Sequence, residues 1–110
     1  MNKKIEFSYE DKDYCLEYDR DSVKYIEARG FDVNAIAKSP VTMVELMFEG
    51  AFIKNHKTIK RDKIERIYQS LNNKGELMNQ LIEMISETYN SMFDTDEEEG
   101  DSKNKNWKIV

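Results

Sequence analysis

Two short runs of alternating apolar and polar residues open the sequence. Their apolar positions, which would share one face of a sheet, are Ile5, Phe7, Tyr9, Tyr14, Leu16 and Tyr18. A period of two is typical of strands with one buried face, and the four polar residues 10–13 are enough for a hairpin loop. We therefore predict a β-hairpin. Because an isolated hairpin is only marginally stable, its apolar face must pack on helices or further strands.

Four helices are predicted after the hairpin. The first is short, with Asp21 or Ser22 as its N-cap, and it ends at Gly30. The second begins with Ser39 as its cap and Pro40 at its first position. The last three cover residues 40–54, about 60–71 and about 76–93. The sequence thus predicts a single α+β domain over residues 1–93.

The second predicted helix carries more apolar surface than one contact with a core requires. Its apolar positions are Met43, Val44, Leu46, Met47, Phe48, Ala51, Phe52 and Ile53. On a helical wheel they spread over roughly 260°, whereas a helix lying on a core needs a stripe somewhat over 100° wide. Methionine adapts to varied apolar partners. We therefore predict a partner-binding or self-association surface at Met43, Met47, Phe48 and Phe52, with ordinary core filling as the alternative.

Gly50 lies inside the same helix, where glycine is less favourable than alanine by roughly 1 kcal/mol. Two interpretations stay open. Either another helix approaches closely at Gly50, or the fold tolerates the glycine there.

The composition changes abruptly after Phe93. Residues 94–101 contain six acidic side chains in eight positions, and residues 102–106 are polar with two lysines. Such a stretch buries too little apolar surface to offset its ordering entropy, so we expect disorder over residues 94–110. Two interpretations of Trp107, the only tryptophan, stay open. It is an aromatic anchor that docks on a partner or on the domain of residues 1–93, or it belongs to a disordered end.

Composition and charge limit the class of protein. The chain has 110 residues, a net charge of −5 and one cysteine. The acidic balance argues against a dedicated nucleic-acid binder, and no apolar run approaches the roughly 18 residues that span a bilayer. No apolar signal core follows the N-terminal lysines, and a lone cysteine fits a reducing compartment. We expect a soluble, intracellular protein that does not bind membranes.

The sequence contains no recognisable catalytic constellation. A nucleophilic Cys15 would need His56 as its base, and no local signature relates the two. One cysteine and one histidine are too few for a zinc site. Glu45 and Glu49 share one helix face and are read as its solvent edge rather than as an acid–base pair. We predict no catalytic residue, no cofactor and no metal.

A basic stretch lies between Lys54 and Arg66, with six lysines and arginines against two acidic residues. A phosphate-binding patch is one interpretation. The preferred interpretation places these cations at the C-terminal end of one helix, where they interact favourably with its dipole, and on the solvent-exposed face of the next helix. A third use would be to hold the acidic tail of the same chain.

Several features together resemble the tail assembly chaperones of long-tailed phages and prophages of Gram-positive bacteria. The resemblance is carried by residues 3–7, the strand from Tyr14 to Tyr18, Ser22-Val23-Lys24 ahead of Gly30-Phe31, Pro40-Val41-Thr42-Met43, Phe48-Glu49-Gly50-Ala51-Phe52, Lys60-Arg61 with Ile64 and Tyr68, and the acidic tail ending at Trp107. It covers most of the chain and includes no catalytic signature.

The resemblance implies a transient helper of tail morphogenesis in the cytoplasm of the bacterial host. Such proteins bind the long, apolar, helical tape measure protein, keep it soluble and help recruit tail tube subunits. In this family a programmed frameshift often yields a longer product, and the tail from Asp94 would link to that extension.

Two other functions compete with this one. A structural virion component, such as a head–tail connector or a minor tail protein, would use the apolar helix in a permanent oligomer. A nucleic-acid-binding regulator would use the basic stretch, and its affinity would depend strongly on salt.

Overall fold

The computed structural model describes residues 3–93, where a β-hairpin is followed by four α-helices, so the predicted α+β class is confirmed. The elements are β1 (Ile5–Tyr9), β2 (Lys12–Leu16), α1 (Arg20–Ala28), a 3₁₀ turn (Val33–Ala35), α2 (Pro40–Gly50), α3 (Arg61–Ser70) and α4 (Lys74–Phe93). The predictions made for residues 94–110, including those for Trp107, lie outside the described residues.

The hairpin turn is tighter than the predicted four-residue loop. The two strands are antiparallel and pair up to Tyr9 opposite Lys12, which leaves a turn of two residues, Glu10 and Asp11. Both have left-handed φ angles, 52° and 64°. A two-residue turn with two positive φ angles matches the right-handed twist of the strands. Hairpins therefore favour such a turn although left-handed φ angles are unfavourable for residues other than glycine.

The N-cap of α1 is Asp19, so the predicted caps Asp21 and Ser22 were wrong. The Ser22 backbone N–H donates to Oδ1 of Asp19 (2.8 Å), and the Asp19 backbone N–H donates to Oγ of Ser22 (2.7 Å). This reciprocal pair is a capping box, with serine at its third helical position. The helix therefore begins at Arg20, before both of the predicted caps.

Gly30 ends α1 as predicted, with φ of +105°. The Phe31 N–H donates to the Ile26 carbonyl (2.9 Å), and the Gly30 N–H donates to the Glu27 carbonyl (3.1 Å). These two bonds form a Schellman motif, which requires a residue that tolerates positive φ just after the helix. The motif also brings Phe31 back onto Ile26, and both are buried.

The α2 helix begins at Pro40 as predicted but ends at Gly50, and residues 51–55 form turns instead of a further helical turn. Ser39 occupies the N-cap position, although its side chain makes no capping hydrogen bond. Gly50 lies against α1, with room for no Cβ because of Ile26. Close approach by another helix is therefore the correct interpretation of Gly50.

The core is arranged around α2, which contacts α1, α3 and α4. The hairpin covers the end of the helix, where the Phe7 and Tyr14 rings pack edge-on against Phe52. Two hydrogen bonds fix this contact. The Glu17 N–H donates to the Ala51 carbonyl (3.2 Å), and the Tyr18 hydroxyl donates to the Met47 carbonyl (2.5 Å). The α2 helix is therefore enclosed on most sides by its own chain.

Candidate partner-binding surfaces

The four described residues that were predicted to bind a partner lie inside the core. Met47 and Phe52 are completely buried, and Met43 and Phe48 are nearly so. The wide apolar arc of α2 is covered by the hairpin and the three other helices, which is the core-filling alternative. The prediction of an open surface at Met43, Met47, Phe48 and Phe52 is therefore corrected. In this structure these four side chains offer no exposed surface to a partner.

Glu49 connects three helices. Its carboxylate accepts a hydrogen bond from the Tyr25 hydroxyl (2.6 Å) and lies 3.6 Å from both Arg29 and Arg61. The Glu49 side chain is only 13% exposed, whereas Glu45 one turn earlier is exposed. The hydrogen bond to Glu49 raises the pKa of Tyr25. Glu49 thus joins α1, α2 and α3. The sequence predicted that both glutamates form the solvent edge of α2, and this holds for Glu45 only.

An open apolar groove lies at the C-terminal end of α4. We call it the α4 groove; it is lined by Glu27, Phe31, Asp32, Val33, Tyr89 and Phe93, with a volume of about 440 Å³. Val33 and Phe93 are 44% and 69% exposed. The Tyr89 and Phe93 rings stack with centroids 6.4 Å apart and planes within 2°. The groove therefore offers a flat aromatic surface to solvent.

The charged residues of the α4 groove are both acidic. Glu27 accepts a hydrogen bond from the Tyr89 hydroxyl (2.6 Å), and Asp32 accepts one from the Asn34 backbone N–H (2.9 Å). Burial, and then the bond to Glu27, raise the pKa of Tyr89 above its ordinary value. An apolar ligand with adjacent cationic groups would complement this groove in both shape and charge.

A second groove, the basic groove, lies between the hairpin turn and the start of α3, with a volume of about 400 Å³. Its basic lining residues are Lys12, His56, Lys57, Lys60, Lys63 and Arg66. Among residues 3–93 the four lysines make no ion pair, while Arg66 lies 4.0 Å from Asp62. This lining gathers most of the basic stretch into one polar surface, together with Lys12 from the hairpin.

The structure brings Cys15 and His56 together without forming a nucleophile–base pair. Nε2 of His56 accepts a hydrogen bond from the Cys15 backbone N–H (3.1 Å), so the imidazole holds the strand and not the thiol. Burial, and then Glu17, raise the pKa of Cys15, which disfavours a thiolate. Burial and the nearby Lys12 lower the pKa of His56.

Glu17 completes this junction between β2 and the turns after α2. Its carboxylate accepts hydrogen bonds from Asn55 (2.9 Å) and Lys54 (3.1 Å). The Asn55 bond, followed by Lys54, lowers the Glu17 pKa. Asn55 also donates to the Cys15 carbonyl (3.1 Å). These residues fasten the hairpin to the helical part, which is a structural role.

Two further properties concern the described part of the chain. Among residues 3–93 no group of three or more histidine, cysteine, aspartate or glutamate side chains could hold a metal ion. None of the helices there is long and apolar enough to cross a membrane.

The residues of the α4 groove were not among the predicted site residues. Val33 lies in the 3₁₀ turn after α1, and Phe93 is the last residue of α4 before the acidic run. The available signal was a large apolar side chain at the border of a highly charged segment. A helical wheel assigns Phe93 to the buried apolar stripe of α4.

A family model matches the entire chain, residues 1–110. The chain therefore belongs to the family described as Domain of unknown function (DUF5055). No curated protein and no solved structure matches it significantly.

Proposed function

We propose that this protein is a non-enzymatic tail assembly chaperone of a long-tailed phage or prophage, acting in the host bacterial cytoplasm. It binds an apolar helical segment of the tape measure protein, keeps that protein soluble and helps recruit tail tube subunits. The observation that carries this proposal is the α4 groove, where Val33 and Phe93 expose apolar surface beside two carboxylates. The sequence resemblance supplies the identity of the partner.

The geometry of the groove suits a helix with one apolar stripe. Such a helix docks through side chains spaced three or four residues apart, and a groove of about 440 Å³ holds a few of them. Lysine or arginine beside the stripe would face Glu27 and Asp32. Burying one large apolar side chain contributes about 1.5–3 kcal/mol before the costs of association. A site of this size therefore binds reversibly, as a transient helper requires.

The charge of the protein also fits this function. A net charge of −5 keeps a complex with an apolar partner in solution through mutual repulsion. A permanent complex would typically have a larger and more apolar interface.

Co-expression with a tape measure protein tests the proposal. We expect the tape measure protein to be insoluble alone and soluble when the full chain is present. The double variant Val33→Ser/Phe93→Ser should lose this effect, since it removes both exposed apolar side chains of the groove. Val41→Ser is the matched control, because Val41 is 69% exposed, as Phe93 is, and lies outside the groove.

The structural virion component remains the first alternative. It would use the α4 groove in a permanent contact, so the chain would be found at stoichiometric amounts in purified particles. A chaperone is absent from them. Mass spectrometry of purified particles separates the two functions.

A second candidate function rests on the basic groove. Four lysines without carboxylate partners among the described residues surround a polar surface that could take nucleic-acid phosphates. The acidic charge of the whole chain weighs against it. Salt-dependent binding to DNA or RNA would favour this function.

A further inference from the structure

We propose that residues 102–110 of the same chain occupy the α4 groove, with Trp107 on the aromatic surface of Tyr89 and Phe93. The segment would then compete with the partner for the groove. This competition rests on the proposed function, whereas the occupancy itself does not.

The sequence after Phe93 has two parts of opposite character. Residues 94–101 carry six acidic side chains and no apolar one. Residues 102–110 carry three lysines, no aspartate or glutamate, and three large apolar side chains: Trp107, Ile109 and Val110. Only the second part combines cationic and apolar groups.

The α4 groove is the described surface that complements this second part. Its apolar side chains can cover Trp107 and Ile109, and Glu27 and Asp32 are anionic partners for lysines such as Lys108. The same two carboxylates repel residues 94–101. The basic groove has the opposite preference, because its lysines would repel residues 102–110. Charge therefore favours different surfaces for residues 94–101 and for residues 102–110.

The connection is long enough for the segment to return to the groove. Thirteen residues, 94–106, separate Phe93 from Trp107, and a flexible chain of that length has ends about 20 Å apart. The groove begins at Phe93 itself, so the ends need to come closer than this average. Tethering of this kind gives an effective concentration of order millimolar. A weak contact suffices to fill the groove under those conditions.

Trp107 reports on the occupancy directly, because it is the only tryptophan. We expect its emission in the full chain to lie at shorter wavelength, and to be quenched less by acrylamide, than in a synthetic peptide of residues 102–110. The Val33→Ser/Phe93→Ser variant should restore the values of the peptide, and Val41→Ser should leave the shift and the protection intact. Thermal melts of the three proteins confirm folding, since all the substituted positions are exposed.

Three results would overturn the occupancy. Quenching of the full chain as fast as of the peptide would show that Trp107 is free. Protection that survives the groove variant would place Trp107 on another surface. Protection that rises with protein concentration would mean that the segment binds a second copy.

The competition has a separate readout. The full-length variant Trp107→Ser should bind a tape measure helix about three- to tenfold more tightly than the wild type if the segment fills the groove. Trp107 protection without any helix binding would leave the occupancy standing and reject the proposed function. Helix binding with a free Trp107 would reject the occupancy and leave the proposed function standing.

Discussion

A Cβ atom built on Gly50 of α2 would lie 2.3 Å from Cγ2 of Ile26 in α1. Ile26 is fully buried, and its Cγ2 is attached to a β-branched carbon that has little rotational freedom. The two helices can therefore pack at this distance only because position 50 has no side chain.

Replacing Gly50 with alanine should destabilise the protein. Alanine is the better helix former by about 1 kcal/mol, but overpacking a core typically costs about 1–3 kcal/mol. We expect the clash with Ile26 to dominate and the free energy of unfolding in urea to fall. Gly75→Ala is the control, because nothing lies within 4 Å of a Cβ at that position of α4. Equal effects of the two substitutions would contradict the close approach.

Glu49 should matter far more than Glu45, although both lie on α2. Glu49→Ala removes the acceptor of Tyr25 and leaves Arg29 and Arg61 without their shared carboxylate. Loss of one partner from a partly buried charged network costs about 1–3 kcal/mol. The exposed Glu45→Ala should change the free energy of unfolding by less than about 0.5 kcal/mol. A cost for Glu45→Ala as large as that for Glu49→Ala would refute this assignment.

Sequence patterns predicted the elements of this fold well and their contacts poorly. Alternation located the hairpin, and helical periodicity placed α3 and α4 within about two residues of their bounds. The wheel of α2 correctly measured a wide apolar arc. It could not say that Phe7, Tyr14 and the other helices cover Phe52 and Met47, because a wheel holds no information about tertiary neighbours.

The missed features have physical causes as well. The Asp19 cap depends on a reciprocal bond with Ser22, and the sequence offered three acceptable caps within four residues. The α4 groove depends on where the end of α1 meets the end of α4, a long-range relation between Phe31 and Phe93. Local periodicity does not encode such a relation.

His56 should make stability depend on pH near neutrality. Its folded-state pKa is lowered from the ordinary value of 6.5, so the unfolded state binds more protons. The contribution of His56 is therefore fully present above pH 6.5 and is lost as pH falls through the folded-state pKa. Protonation also removes the Nε2 acceptor of the Cys15 N–H.

NMR titration of the single histidine measures this pKa without ambiguity. His56→Asn should flatten the dependence of the free energy of unfolding on pH below about 6.5, where the unfolded-state histidine takes up its proton first. A folded-state pKa above 6.5 would reverse the predicted sign.

The basic groove gives a test of the nucleic-acid function. Lys60→Glu with Lys63→Glu reverses two charges of the groove, and Lys24→Glu with Lys38→Glu produces the same net charge on other exposed residues. We expect no tight, steeply salt-dependent DNA or RNA binding by the wild type, and equal tape measure binding by both double variants. Nucleic-acid binding that only the Lys60/Lys63 variant abolishes would favour the regulator.

The affinity of the purified full chain for a labelled helical segment of a tape measure protein shows whether the α4 groove binds this partner. Fluorescence anisotropy should show saturable binding that the Val33→Ser/Phe93→Ser variant weakens at least about tenfold, because one lost apolar contact of about 1.4 kcal/mol already has that effect. Val41→Ser should bind like the wild type. No binding by the wild type, or equal affinities for the groove variant and the control, would contradict a chaperone that uses the α4 groove.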